Sequence, residues 1–263
     1  MAGAPPVILS IAGHDPISGA GVTADVKTAG AHGCFAATCI TALTVQSTRG
    51  VRRVQPVSPD ILVQALEEVA ADLPIAAVRI GMLGNRHVGM AVAGFLERHR
   101  PPNVVADPIL TASSGAELLD PPGLEMLRKV LLPLAHVVTP NLDEAAALTG
   151  LPVARREDLP AAAARLHELG AQAVVITGGH LSEPVDFLRL PSGETRDFPA
   201  QRLESESTHG TGCAFATALA CNLALGKDLI EAVRQAQAYV QGAIREAYPL
   251  GRGTGPVNHL WRT

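Results

Sequence analysis

Val7-Ile-Leu-Ser-Ile-Ala12 runs into Gly13-His-Asp-Pro-Ile-Ser-Gly-Ala-Gly21 and then into a helix-compatible segment over 22–32, and this stretch decides how the rest of the chain is read. A short run that is almost wholly apolar offers no face to water, so it belongs inside a parallel sheet covered on both sides. A strand that ends in a glycine-rich loop and leads directly into a helix is the first half of a βαβ unit. The alternation continues outward. Residues 34–45 form a second extended region rich in Thr and Ile, and Ser58-Pro59 supplies an N-cap and a first-turn proline. Ile61, Leu62, Ala65, Leu66 and Val69 then share one helical face. Strands are predicted over 76–80, 104–106, 136–139 and 174–176, with helices over 88–99, 124–132 and 142–148 and another that stops at Gly170. Residues 187–190 and 195–198 flank Pro191-Ser-Gly193 as a β-hairpin, and helices over 213–225 and 229–245 complete the core. The order predicts an α/β fold with a mostly parallel central sheet. No internal repeat or low-complexity linker interrupts it, so residues 1–263 are expected to form one domain.

Composition narrows the function. A chain of 263 residues with 47% hydrophobic content and a mean hydropathy of +0.21 is long enough for one sizeable core. The net charge of -4 and pI near 6.1, with no cluster of Lys and Arg, argue against a nucleic-acid surface. Lysine is confined to Lys27, Lys129 and Lys227, so any phosphate site must rely on backbone amides, arginine or a metal. Cys34, Cys39, Cys213 and Cys221 lack zinc-ligand spacing. The first apolar run is broken by Gly13, His14 and Asp15 and has no basic flank, so it reads as a strand rather than a signal peptide, and no segment has the length of a membrane span. A reduced, soluble, cytoplasmic protein is expected.

The second informative stretch is Ser205-Glu-Ser-Thr-His-Gly-Thr-Gly-Cys-Ala-Phe-Ala-Thr217. Gly210 and Gly212 permit positive φ and close approach, so the amides of Thr211, Gly212 and Cys213 can converge on an anion at the positive end of the next helix. A cysteine on the first turn of a helix should have a depressed pKa, which makes Cys213 a candidate base as well as an anion-site residue. The competing reading is a tight turn followed by a small core cysteine.

In a parallel sheet, ligands collect beyond the carboxyl ends of the strands. Gln46, Asp107, Asn141, Glu144 and Thr177-Gly178-Gly179-His180 all follow apolar strands. Asn141 and Glu144, three apart, either reach a phosphate oxygen and a magnesium-bound water or form a capping box, and the residues alone leave the two nearly equal. Asp107 before Pro108 is alternatively a turn former. His14, His180 and His209 read as hydrogen-bonding loop residues rather than ligands or bases.

The combination resembles a known family. It includes Ala12-Gly-His-Asp-Pro, Gly19-Ala-Gly-Val-Thr-Ala-Asp-Val-Lys-Thr28, Ile40-Thr-Ala-Leu-Thr-Val-Gln46, Thr48-Arg-Gly-Val51 and Ile80-Gly-Met-Leu83. Thr139-Pro-Asn-Leu-Asp-Glu-Ala145, Gly178-Gly-His180 and Thr208-His-Gly-Thr-Gly-Cys213 continue it in order to about His259. The chain looks like a hydroxymethylpyrimidine/phosphomethylpyrimidine kinase of thiamine biosynthesis, within the ribokinase-like superfamily. The resemblance implies a three-layer α/β/α sandwich, a homodimer, a requirement for Mg2+, and transfer of the ATP γ-phosphoryl group to a hydroxymethyl oxygen and then to the monophosphate. By that likeness Gln46 binds the aminopyrimidine edge, with Asp25, Gly13 and Met82 helping to line the pocket. Asp107, Asn141, Glu144 and Thr177 face the nucleotide, Asp107 and Glu144 on the magnesium side, directly or through water. Gly210, Thr211, Gly212 and Cys213 form the anion hole, and Cys213 takes the base position. Three departures stand out: Thr177 where the family usually has Lys, Ile17-Ser18 for Ser-Gly, and Ile109-Leu-Thr-Ala112 for Val-Met-Val-Ala. The rival readings are a pyridoxine kinase, a non-catalytic pyrimidine sensor on the same fold, and a nucleotide-dependent oxidoreductase, which the lack of a dinucleotide fingerprint disfavours.

Overall fold

The apolar run that opens the chain becomes β1 (Val7–His14), buried along nearly its whole length and hydrogen-bonded to a parallel strand on each side. The computed structural model describes residues 3–112 and 114–262. After β1 come α1 (Gly21–Ala31), β2 (Phe35–Ser47), β3 (Gly50–Pro56), α2 (Pro59–Asp72), β4 (Ile75–Ile80), α3 (Arg86–His99), β5 (Val104–Ala106) and α4 (Pro121–Met126). They are followed by β6 (Val137–Val138), α5 (Leu142–Thr149), α6 (Leu159–Glu168), β7 (Ala173–Ile176), β8 (Val185–Arg189), β9 (Thr195–Pro199), α7 (Thr211–Ala224) and α8 (Leu229–Arg245).

All the strands named join one sheet in the order β3-β2-β1-β4-β5-β6-β7-β8-β9. The strands from β2 to β7 in that order run parallel, while β3, β8 and β9 are antiparallel to their neighbours. The chain moves outward from β1 to β3 and returns to place β4 on the other side of β1. This reversal opens a crevice at the carboxyl ends of β1 and β4. One face of the sheet packs Leu9, Ile11, Val78 and Ile80 with Leu66, Val92, Leu148 and Leu166 from α2, α3, α5 and α6. The other packs Ile8, Ala77, Val105 and Val175 with Phe215, Leu219 and Tyr239 from α7 and α8 and Ala29 from α1. The result is the expected three-layer α/β/α arrangement.

Two elements differ from expectation. β3 lacks an apolar run, because it carries the exposed Arg52, Arg53 and Gln55 at the sheet edge, and pairing with β2 rather than hydrophobicity makes it a strand. The predicted helix over 124–132 starts earlier, at Pro121 behind the Asp120 cap, and then loosens into a π turn over Leu127–Leu131 and a 3-10 turn over Leu132–Leu134 at Pro133. Ser58 precedes Pro59 as anticipated, but its side chain makes no capping bond. Within α7 every residue from Cys213 to Asn222 is buried, since small alanines let it lie close against the sheet with α1 and α8 beside it.

Candidate active site

Asp15 organises the first glycine loop. Its Oδ1 accepts the Ile17 amide at 3.0 Å, and its Oδ2 accepts the amides of Gly19 at 3.1 Å and Ala20 at 2.9 Å. This is the local side-chain-to-backbone bonding that makes aspartate a turn residue. The same Oδ2 also accepts from His209 Nε2 at 2.9 Å, so one carboxylate ties the amino-terminal loop to the turn before α7. Burial pushes the Asp15 pKa up, but the His209 and Ile17 hydrogen bonds outweigh it and hold the carboxyl below its usual range. Ser18, standing where the family usually has glycine, takes a φ of 59°, and Lys27 Nζ donates to its carbonyl at 2.8 Å. His259 Nε2 donates to the Gly19 carbonyl at 2.9 Å, pinning the loop from the far end of the chain.

Gly210 is the N-cap of α7, with φ of 88° and no side-chain cap bond on the helix, so the first-turn amides have no capping side chain in front of them. A Cβ here would stand 1.8 Å from the Gly19 carbonyl oxygen, which makes glycine a condition for the two loops to touch. Gln46, half-buried near the end of β2, has its Nε2 3.3 Å from His209 Nε2, and so lies beside the same junction. Gly13 and Met82 meet nearby: a Cβ on Gly13 would be 3.1 Å from the Met82 sulfur.

Beneath the turn lies a buried ionic chain. Arg79, fully buried in β4, directs Nη1 to Asp25 Oδ2 at 3.2 Å and Nη2 to Asp107 Oδ2 at 2.8 Å. Asp25 further accepts Ser10 Oγ at 2.5 Å and Thr217 Oγ1 at 2.7 Å. Asp107 follows β5 and reaches the anion turn, since a Cβ on Gly212 would be 4.0 Å from Asp107 Oδ2. Asn141 caps α5 by accepting the Glu144 amide at 2.9 Å, while Glu144 Oε2 accepts the Asn141 amide at 2.9 Å. The capping reading is therefore realised, and the Glu144 carboxyl stays buried within reach of the Asp107 charge. Thr177 lies next to Asn141, its amide donating to the Pro140 carbonyl at 2.9 Å.

Two expectations need correction. Asp25 is 1% exposed with both oxygens engaged, so it underlies the pocket rather than lining it. The Cys213 thiol is not depressed. Burial pushes it up to about 11 against the pull of Arg79, and the charges of Asp25 and Asp107 add to the rise. A helix terminus stabilises a neighbouring anion by about 0.3–1 kcal/mol, which is less than the cost of removing a thiolate from water and setting it near two carboxylates.

Burial and the Asp107 charge push Glu144 up to about 8, and burial together with Asp25 pushes Asp107 up to about 6 against the attraction of Arg79. Acids whose pKa rises on folding favour the protonated fold, so stability is greatest below their unfolded values and falls as pH rises through the folded ones. In magnesium-free buffer the thermal midpoint should therefore fall between pH 5 and 8.5. Glu144→Gln should remove the part of that fall above pH 6, as read by differential scanning fluorimetry; an unchanged slope would show that Glu144 is already ionised. Among the described residues no three acidic, histidine or cysteine side chains form a metal cage. Magnesium needs none, because it is usually held by one or two carboxylates plus substrate phosphates. The Asp107 and Glu144 pair, whose mutual repulsion a divalent cation relieves, fits that pattern.

Comparison with known proteins places the chain in a family. A family model described as phosphomethylpyrimidine kinase matches residues 15–258. The chain belongs to this family. It is 44% identical over 260 residues to the hydroxymethylpyrimidine/phosphomethylpyrimidine kinase of Rhizobium meliloti, covering 97% of each chain. It is 43% identical over 255 residues, 96% of its length, to the thiamine biosynthesis bifunctional protein ThiED of Geobacter sulfurreducens, of which it spans 52%. Among solved structures, the ADP complex of Bacillus subtilis pyridoxal kinase superposes with a TM-score of 0.89 at 32% identity, covering 97% of this chain and 98% of that one. The fold is accordingly ribokinase-like, and this member of the phosphomethylpyrimidine kinase family is a phosphotransferase.

Arg79 escaped the sequence reading as a site residue, although a lone arginine in the otherwise apolar strand Ala76-Ala-Val-Arg-Ile80 was the available signal. Asp15 and His209 stood inside quoted motifs, but nothing in their spacing reveals that they bond to each other. Ser10 and Thr217 carry no signal, since a buried hydroxyl in a strand or helix is ordinarily a packing residue.

Proposed function

We propose that this kinase transfers the γ-phosphoryl group of ATP to the hydroxymethyl oxygen of 4-amino-5-hydroxymethyl-2-methylpyrimidine, and then phosphorylates the monophosphate to the diphosphate, in thiamine biosynthesis. The observation that carries this reading is the junction of the two glycine loops at Gly19 and Gly210. It sets a pocket edge bearing Gln46 next to the uncapped amides of α7. Phosphoryl transfer has a loose transition state with charge spread over oxygens, so alignment and charge stabilisation are the protein's main tasks. The amides of Thr211, Gly212 and Cys213 supply the donors for the transferring group. Asp107 and Glu144 would hold a magnesium ion, which when bound would neutralise charge on the phosphates. Asn141 and Thr177 border the same space and provide polar contacts in place of the family's usual lysine. Cys213 takes the hydroxymethyl proton as its thiolate, the minor form in the free protein. In the second step the acceptor is already an ionised phosphate, so this role lapses.

The Gln46 amide presents both a donor and an acceptor, which suits an aminopyrimidine edge. Gln46→Leu should lower kcat/KM for the hydroxymethylpyrimidine about 10–100-fold through the unpaired polar edge it leaves on the substrate. Its effect on pyridoxine should stay within about threefold, because that ring lacks the amino edge. The main test is ADP release with hydroxymethylpyrimidine, its monophosphate, pyridoxine and ribose as acceptors. Release with pyridoxine alone would move the chain to the pyridoxal kinases, as the Bacillus likeness suggests, and release with none would leave a sensor. The higher identity to the pyrimidine kinases favours the first reading. Leu43 and Val45 stand 50% and 56% exposed on β2, an apolar stripe that a second copy would cover, which supports a homodimer. We place the enzyme in the cytoplasm, where its four free cysteines stay reduced.

A further inference from the structure

We propose that Arg79 is a positioning residue whose guanidinium fork holds the Asp107 carboxylate against the phosphate turn. The inference rests on the reading of Asp107 and the α7 turn as the nucleotide site. Among the described residues Arg79 is the one arginine or lysine that is buried. Its two Nη atoms engage carboxylates from different parts of the fold: Asp25 on α1 at 3.2 Å and Asp107 after β5 at 2.8 Å. The strand end is shaped around the fork, since a Cβ on Gly81 would fall 1.9 Å from Nη1 and 2.7 Å from Cζ. Asp25 is in turn held by Ser10 on β1 and Thr217 on α7. The position of Asp107 is thereby referenced, through Arg79 and Asp25, to β1, α1 and the helix that carries the anion turn.

The buried chain Thr217–Asp25–Arg79–Asp107 therefore starts on α7 and returns to it, because Asp107 comes back to within contact range of the Gly212 position. A planar guanidinium can serve two carboxylates at once, whereas a lysine ammonium acts as a point charge and cannot reproduce the fork. With lysine at this place one carboxylate is released. Asp25 keeps its bonds from Ser10 and Thr217, whereas Asp107 retains only the Thr139 hydroxyl beside it, so Asp107 is the one expected to turn, and the metal-facing geometry loosens. Arg79 itself is fully buried and touches no substrate.

The test is isothermal titration calorimetry of ADP with Mg2+ and of ADP with EDTA, on the wild type, Arg79→Lys, Asp107→Asn and Thr217→Val, each with a thermal melt. Arg79→Lys should weaken Mg-ADP about tenfold, in the range seen when residues orienting metal ligands are changed, while metal-free ADP shifts by no more than about twofold. Thr217→Val, which loosens Asp25 without touching the ionic pairs, should give a smaller loss of the same selectivity, about threefold, and stands in if Arg79→Lys does not fold. A purely structural arginine would lower the melting point and the number of binding-competent sites while leaving both dissociation constants unchanged, and that result overturns the proposal. If Asp107→Asn weakens Mg-ADP and neither Arg79→Lys nor Thr217→Val does, the nucleotide site stands and the positioning role of Arg79 falls. If Asp107→Asn leaves Mg-ADP unchanged, Asp107 does not face the metal, and the proposal goes with that reading.

Discussion

Gly210→Ala is expected to reduce ADP affinity by about 100-fold or more, the loss of two amide hydrogen bonds to a charged phosphate at about 1.5–3 kcal/mol each. Two costs combine at this position. The native φ of 88° is in the left-handed region, which costs an alanine about 1–2 kcal/mol. The added Cβ would also come within 1.8 Å of the Gly19 carbonyl oxygen and 2.9 Å of its carbon, and backbone atoms cannot rotate out of the way. The loops must part, which pulls at the His209 bond to Asp15 and turns the first amides of α7 away from the crevice. Calorimetry with ADP measures the effect, and a thermal melt shows that the sheet persists, since the core clusters are built mainly from strands and helices rather than from these loops. Binding within twofold of wild type would mean that the loop junction is not where the phosphates lie.

Cys213→Ala should slow phosphorylation of the hydroxymethyl group about 100-fold or more, the range over which general bases act, and slow the second phosphorylation less than tenfold. The pH dependence separates a base from a spacer. With the thiol pushed up to about 11, the reactive thiolate is scarce at neutral pH and increases tenfold for each pH unit. In the wild type, log kcat/KM for the alcohol should climb from pH 7 to 9 without levelling, and in Cys213→Ala the climb attributable to the thiol should vanish. A thiolate already formed at neutral pH would instead give a plateau above pH 7. Equal losses in the two steps, with the pH slope intact, would assign the cysteine to positioning alone.

The Cys213 result shows where local reasoning stops. Its place on the first turn of α7 was legible, because Gly210 and Gly212 interrupt the chain immediately before an unbroken helical run. Its proton affinity was not, because Asp25, Arg79 and Asp107, which compete to set it, lie on α1, on β4 and after β5. Asn141 and Glu144 illustrate a different limit. Both possible uses of the pair were visible, and only the folded chain shows that the caps form while the carboxyl stays buried within reach of the Asp107 charge.

What the sequence determined by itself is the order of the helices and of the strands other than β3, the parallel core of the sheet, the hairpin before α7 and the two glycine turns. Each of these follows from hydrophobic periodicity or backbone freedom within about a dozen neighbouring residues. What only the tertiary structure decided is the edge strand β3, the junction of Asp15 with His209 and Gly19 with Gly210, and the ionic chain through Arg79. Those features depend on pairing and on charge removed from water by segments distant along the chain, and the energy of a buried charge is set by whichever partners the fold delivers to it.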